Sequence, residues 1–441
     1  MTFLRNTAVT VVTTMAITVI NLLIGILLAR TLGPTGRGLM VAVLLWPQVL
    51  SWAAGLSLNF SILYFGAAEP ALRRRLLANS LYAALVLGGV VGVGTALVLP
   101  QMLPLIPIQR TLLRISLLAL PVALFADSAL ALLMSSQRFD RVNLIRVSGV
   151  LVTGLGLVSL WLADALTVTG AILATWAGGC ASICLIVWFL FRDGYASWAL
   201  PDGALLRRTL NYGARTHLGT LASLANMRLD QLLMTALVAP QMLGLYAFAT
   251  TLSEMLNQVA NATALVLTPK VAGEVDIAAR REIAIKSARW VLLMSVFGAL
   301  LLYVAAPVAI RLLWGSRFLE VVPTVYVLLP GVVASSLSSA LGAALRGVER
   351  PLPSTIAELS SLSVMIPLLL LLLPIYGIFG AGLASTLSYL LRCGVLTLCF
   401  ARHFGRDSVL EIRPTRDDLR EAYGLISSVL LRARTRRAAA R

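Results

Sequence analysis

The stretch that decides the fold class is residues 8–29, AVTVVTTMAITVINLLIGILLA, which contains no charged residue. About 20 apolar residues are enough for an α-helix to cross the hydrocarbon of a bilayer, so this stretch predicts one crossing. We expect it to be a retained span rather than a signal peptide, because no small-residue cleavage site follows it. Eleven similar stretches follow. The predicted spans are 8–29, 38–65, 77–99, 112–134, 147–163, 168–191, 214–238, 243–268, 289–311, 323–346, 354–374 and 378–400.

The composition agrees with this pattern. Of 441 residues, 59% are hydrophobic and 12% are charged, and the mean hydropathy is +0.89. A soluble domain has about 25% charged residues, so a soluble protein is excluded. We predict an all-α polytopic membrane protein with about twelve transmembrane helices, of which the long second span is tilted or bent at Pro47. With two His, and with four Cys in apolar stretches, we expect no metal site and no disulfide framework.

The basic residues predict the orientation. With twelve spans, 28 of the 36 basic residues share one side of the membrane with both termini, and six lie on the other side. The positive-inside rule places the richer side, and therefore both termini, in the cytoplasm. The net charge of +17 is then a signal of topology and not a nucleic-acid footprint. The basic tail either retains the C-terminus inside or also binds anionic lipid. Its basic residues include Arg432, Arg434, Arg436, Arg437 and Arg441.

The chain contains an internal repeat. A shift of 206 residues places Gly33-Pro34-x3-Gly38 on Ala239-Pro240-x3-Gly244, and a shift of 210 places Gly170-Ala171 on Gly380-Ala381. Each half then has six spans and the same orientation, as in transporters whose substrate path lies between two such halves. We predict an N-terminal six-helix bundle over 1–191, a cytoplasmic linker over 192–213, a C-terminal six-helix bundle over 214–402 and a basic cytoplasmic tail over 403–441.

Polar residues inside the spans are costly unless they face a cavity or a partner. Spans 1, 7 and 8 each have a polar stripe at helical spacing, which predicts a wet cleft; the alternative is hydrogen bonding between helices. Arg228 is about ten residues from either end of its span, and Glu254 is its expected protein partner. Asp230 is expected on another face and in contact with another helix. Arg392 is near the cytoplasmic end of its span, where we expect it to snorkel.

These considerations define the candidate site residues. For the substrate cavity they are Asn21, His217, Arg228, Gln231, Glu254, Asn257 and Asn261, with Arg392 at lower weight. For coupling to H⁺ or Na⁺ they are Asp127, Asp230 and Glu254. No catalytic constellation and no Walker loop is present in the sequence, so we expect a transporter without a bound cofactor and not an enzyme.

The segment Ala29-Arg30-Thr31-Leu32-Gly33-Pro34-x3-Gly38 resembles the polysaccharide-biosynthesis branch of the multidrug/oligosaccharidyl-lipid/polysaccharide (MOP) exporter superfamily. The twelve-span length and the Gly-Ala starts at Gly170 and Gly380 are also similar to its O-antigen and capsule repeat-unit flippases. The resemblance implies two pseudo-symmetric six-helix bundles that form a V around a central cavity and alternate between inward- and outward-facing states.

The resemblance also implies the substrate, an undecaprenyl-diphosphate-linked oligosaccharide, and a place in the bacterial cytoplasmic membrane. Membrane lipids and polysaccharide polymerase or glycosyltransferase machinery are the other expected partners, and no nucleic acid is expected. Two alternatives stay open. A multidrug/cation antiporter prefers an acidic, aromatic cleft. A multispan glycosyltransferase or polymerase usually needs a large outer loop or an acidic metal motif, whereas every predicted outer loop is short.

Overall fold

The structure is a computed structural model that describes residues 2–195 and 201–413. Within these ranges the chain forms helices and no β-strand. The basic tail residues named above lie outside the described residues. The helices are α1 Thr2–Ala54, α2 Leu58–Ala68, α3 Arg73–Ala83, α4 Gly89–Met102, α5 Pro107–Leu118, α6 Leu120–Ser135, α7 Phe139–Leu162, α8 Val168–Arg192, α9 Gly203–Leu237, α10 Pro240–Glu254, α11 Asn257–Gly273, α12 Ile277–Leu313, α13 Val322–Gly347, α14 Leu352–Phe404 and α15 Asp407–Glu411.

The helices agree with the apolar stretches in the sequence. Among the described residues, seven helical segments are long and apolar enough to cross a membrane. The pair α5 and α6, bent by 46°, makes an eighth. Two of the seven are unusually long. Leu352–Phe404, with 53 residues, contains the predicted spans 354–374 and 378–400, and Val12–Ala54, with 43 residues, includes most of 8–29 and part of 38–65. The chain is therefore an all-α polytopic membrane protein, and the count of twelve crossings stays a prediction.

In α1 and in α14, two predicted spans follow each other with only a single non-helical glycine between them. Gly33 in α1 has φ 66° and Gly377 in α14 has φ 58°, and the helix is interrupted at each. Glycine adopts this left-handed region without a steric penalty. Helix α1 continues through Pro47, and the second span is interrupted further along the chain. The interruption lies at residues 55–57, between α1 and α2, where Leu56 and Ser57 both have positive φ.

The helices form two compact units. The first comprises the described residues of Met1–Phe248 and Pro307–Val321, and the second those of Ala249–Ala306 and Val322–Arg441. The core of the first unit includes Ile62, Leu132 and Phe189. The core of the second unit is rich in alanines of α13. These small side chains let α11 and α14 each pack closely against α13, as is typical of helices within membranes.

Inside the first unit, the two copies of the repeated motif contact each other. A Cβ atom added to Gly38 would overlap the carbonyl oxygen of Pro240, and one added to Gly244 would overlap that of Pro34. The contact is reciprocal, and its members are related by the shift of 206 residues. Nearby, Arg30 donates from Nε to the carbonyl oxygen of Leu313 at 2.7 Å and from Nη2 to that of Leu312. Leu312 and Leu313 are at the end of α12, and this end belongs to the first unit, so this contact also lies within that unit.

Candidate functional site

The first unit contains a cavity of about 170 Å³ beside the interruption of the second span. Two left-handed residues, Leu56 and Ser57, separate α1 from α2 there. Across the cavity, Ala84–Gly88 form a π-helical turn between α3 and α4. Strained backbone and π-turns concentrate at functional sites. The lining residues are Ser51, Trp52, Gly55, Ser57, Leu58, Asn59, Phe60, Ala83, Ala84, Leu87, Leu124, Asp127, Ser128, Thr220 and Leu224.

A second cavity, of about 650 Å³, adjoins the first and is mostly apolar. Its walls come from α1, from α5 and α6 on both sides of their bend, and from α8. Two tryptophans, Trp52 and Trp176, and the polar side chains of Gln48 and Thr175 face it. Ser51, Trp52 and Asp127 line both cavities. These three residues are therefore the centre of the candidate site in the first unit.

Asp127 is the carboxylate of this site. Its side chain is exposed to the cavities, and within the described ranges it has no hydrogen bond and no ion pair. Ser51 is 6% exposed, and its buried Oγ also has no hydrogen-bond partner in that part of the chain. Burial of a hydroxyl without a hydrogen-bond partner costs about 1–3 kcal/mol compared with leaving it in water. An acid and a hydroxyl that both lack protein partners can bind a ligand.

Helix α9 contributes the far wall of the small cavity. His217 and Ser57 form a hydrogen bond of 3.1 Å between Nδ1 and Oγ, so the predicted polar stripe contacts the interruption of the second span. Thr220 and Leu224 of the same face line the cavity. Arg228, one turn further along, is half-buried and lines neither cavity.

The next residues of α9 belong to contacts between helices. Asp230 is 2% exposed and accepts hydrogen bonds from the Tyr246 hydroxyl of α10, at 2.5 Å, and from the backbone N–H of Gln231. The side chain of Gln231 is buried. Thr235 accepts a hydrogen bond of 3.0 Å from Nε1 of Trp46 in α1. This part of the stripe fixes α9 to its neighbours and does not face the two cavities described above.

The remaining candidates are distributed over both units. Asn21 is exposed on α1 in the first unit. In the second unit, Glu254 is half-buried at the end of α10, Asn261 is exposed, and Asn257 accepts a hydrogen bond of 2.8 Å from Ser336. The pair Arg228–Glu254 stays a prediction.

The expectation that Arg392 snorkels is wrong. Arg392 is 7% exposed, and Nη1 lies 3.1 Å from a carboxylate oxygen of Glu358. Its Nη2 donates to Ser335 at 2.6 Å, and its guanidinium lies 5.4 Å from the ring centre of Tyr389. A charge with these partners inside the second unit does not need to reach the interface.

Sequence reasoning missed Ser57, Trp52 and Glu358. Glu358 was detectable, because an acid inside a predicted span, 354–374, requires a partner. Ser51 and Gly55 entered the sequence argument only as members of the repeat. Their place at a helix interruption has a local signal, the Gly55-Leu56-Ser57 sequence within an apolar stretch.

A sequence model described as "Polysaccharide biosynthesis protein" matches residues 3–273. The chain belongs to this family. The match includes every element of the candidate site. No curated protein sequence matches the chain.

Solved structures show the same fold. An inward-facing multidrug resistance MATE family transporter of the MOP superfamily has a TM-score of 0.73 at 18% identity, over 90% of this chain and 95% of that one. The lipid II flippase MurJ in an inward closed conformation also has a TM-score of 0.73, at 12% identity, over 92% and 91% of the two chains. A MOP superfamily transporter from Pyrococcus furiosus has a TM-score of 0.59 at 17% identity, over 93% and 94%. At such identities the likeness is one of fold.

Proposed function

We propose that the protein is a flippase that moves an undecaprenyl-diphosphate-linked oligosaccharide across the cytoplasmic membrane by alternating access, for O-antigen, capsule or exopolysaccharide synthesis. The observation that supports this most directly is the family match over residues 3–273. The fold is consistent with it, since a lipid II flippase shares that fold. Partner enzymes of polysaccharide assembly would supply the substrate and use the product.

The physical task defines what the protein must provide. A diphosphate-sugar head cannot enter hydrocarbon without hydrogen-bond partners, whereas the polyprenyl tail can stay in the bilayer. Arg228 is our choice for the diphosphate or an acidic sugar, because guanidinium binds phosphate in a bidentate geometry. When a head with about two negative charges moves outward across a potential of 100 mV, negative inside, its electrostatic free energy falls by roughly 5 kcal/mol. The membrane potential therefore drives export, and coupling to H⁺ or Na⁺ would add to it.

Replacement of Arg228 tests the proposal. We expect Arg228→Ala to abolish flipping in proteoliposomes and complementation in cells, while the protein still inserts at the native level. Arg114→Ala is the matched control, because Arg114 is exposed and lies on the predicted outer side. Normal export by Arg228→Ala would show that the anchoring residue is wrong.

One observation favours the second candidate function, a multidrug/cation antiporter. The 650 Å³ cavity has two tryptophans and one carboxylate, Asp127, which suits an aromatic cation. Deletion of the gene distinguishes the two functions. Loss of surface polysaccharide with unchanged drug susceptibility supports the flippase, whereas drug hypersensitivity with normal polysaccharide supports the antiporter.

A further inference from the structure

Three consecutive predicted spans of the first unit are broken at one level. The second is interrupted between α1 and α2, the third contains the π-turn Ala84–Gly88, and the fourth bends by 46° between α5 and α6. A Cβ atom added to Gly55 would lie 3.1 Å from Leu124, and one added to Gly88 would lie 3.0 Å from Leu124 and 2.7 Å from the backbone of Pro121. Leu124 and Pro121 belong to the first two turns of α6, so the three breaks lie side by side.

Each break has its own local cause. In the second span, Leu56 and Ser57 have φ of 45° and 54°, a conformation that non-glycine residues keep only where the surroundings determine it. In the third, the π-turn holds one residue more than an α-helical turn. In the fourth, Ala119 has ψ of 0°, and Pro121 cannot donate a backbone hydrogen bond. Prolines and π-turns are the positions at which helices bend. None of these three spans is therefore a single straight rod.

On one side of the breaks, α2, α3 and α6 share a core. Ile62 of α2, Leu76 of α3 and Leu132 of α6 are fully buried in it, together with residues of α7, α8 and α9. Among the described residues, this core has no member from α1, α4 or α5. The packing of α2, α3 and α6 is therefore separate from that of the helices on the other side of the breaks.

One arginine connects the three helices of this layer. Arg73, the first residue of α3, donates from Nε to the carbonyl oxygen of Gly66 in α2 at 2.8 Å. Its Nη2 donates to the carbonyl oxygen of Ser135, the last residue of α6, at 3.2 Å. The ends of α2 and α6 are thereby fixed to the start of α3. We call these three helices the α2–α3–α6 layer.

On the other side of the breaks, α4 and α5 pack closely, because a Cβ atom added to Gly92 would lie 2.5 Å from the carbonyl oxygen of Leu117. Helix α1 packs against α5. The cavities of about 170 and 650 Å³ lie at the breaks, with walls from both sides. Protein interiors are normally close-packed, so unfilled space at this level leaves room for movement. Helix α8 has no interruption, lines the larger cavity and reaches the core described above, so it connects the two sides.

We propose that the three breaks form one hinge, at which the α2–α3–α6 layer moves as a body relative to α1, α4 and α5. A few residues at the ends of helices absorb the changes of φ and ψ in such a motion, while the packed layers keep their contacts. The volume of both cavities then depends on the position of the layer. The motion is internal to the first unit and does not depend on the identity of the transported substrate.

Distances between spin labels test the hinge. The full chain, with its four cysteines replaced, is studied in nanodiscs by double electron–electron resonance. Four exposed positions are changed to cysteine in pairs: Ala68 with Tyr82 inside the α2–α3–α6 layer, Val90 with Thr111 between α4 and α5, and Ala68 with Thr111 across the breaks. We expect one narrow distance distribution for each of the first two pairs, and a broad or two-peaked distribution across the breaks. A distribution across the breaks as narrow as the other two would overturn the proposal.

Filling the cavity tests the cause of the motion. Ala123→Phe places a larger side chain in the 650 Å³ cavity, and it should narrow the distribution across the breaks. Ala177→Phe is the matched control, because Ala177 is exposed on α8 and lines neither cavity; it should leave the distribution as in the parent chain. Removal of Leu85 takes the extra residue out of the π-turn, should also narrow the distribution, and is the second variant if Ala123→Phe does not fold. An unchanged distribution in either folded variant, or equal narrowing by Ala177→Phe, would overturn the hinge.

Discussion

At the scale of single residues, the second unit contains a largely buried ion pair between Arg392 and Glu358. Arg392 contacts Glu358, which lies 34 residues earlier in α14, and Ser335, which lies in α13. Removal of one partner leaves a buried charge without compensation, so we expect Arg392→Ala to lower the free energy of unfolding by about 3 kcal/mol. Arg402→Ala, an exposed arginine of the same helix, should change it little. Thermal unfolding in detergent measures both variants.

A double variant separates the pair from the individual side chains. Glu358→Gln combined with Arg392→Gln removes both charges, and its destabilisation should be smaller than the sum of the two single changes. Additive losses would show that the two charges do not stabilise each other. Sequence alone indicated that Arg392 is unusual but placed it at the interface. Position along a helix gives the distance to the membrane surface, whereas the partner, 34 residues earlier, is defined only by tertiary packing.

At the scale of elements, the repeated glycines determine how α1 and α10 approach. We expect Gly38→Ala and Gly244→Ala each to destabilise the protein by about 1–3 kcal/mol, because the new Cβ overlaps a backbone carbonyl that cannot move aside. Gly94→Ala is the control, since nothing lies within 4 Å of its added Cβ and alanine favours helix. Its stability should be unchanged or slightly higher. If all three variants unfold at the same temperature, the motif is not a close contact.

The elements also show what the sequence could predict. Apolar stretches predicted helices, because burial in a membrane requires every backbone group to be satisfied within its own segment. The shift of 206 residues paired Pro34 with Pro240 and Gly38 with Gly244 as equivalents, but it contained no information that the equivalents contact each other. The interruption at 55–57 and the π-turn at Ala84–Gly88 were not predicted. Neither segment contains a proline, although the interruption begins at a glycine, Gly55, in an apolar stretch.

At the scale of the whole molecule, charge is expected to set the orientation. The Arg73–Arg75 cluster and the segment at Arg110–Arg114 lie on either side of the predicted span 77–99, which falls within the apolar helical segment Pro70–Met102. The positive-inside rule places the cluster in the cytoplasm and the segment outside. Both side chains needed for a test, Arg74 and Thr111, are exposed.

Cysteine labelling then decides the orientation. In a chain whose four native cysteines are replaced, we expect Thr111→Cys to react with an impermeant maleimide in intact cells, and Arg74→Cys to react only after permeabilisation. Asp164→Cys is a second site on the predicted outer side, and it should behave like Thr111→Cys. Labelling of Arg74→Cys from outside, with Thr111→Cys protected, would reverse the orientation. Labelling of both from one side would mean that residues 77–99 do not cross, and every later span would then change sides, because the alternation of charge depends on each crossing before it.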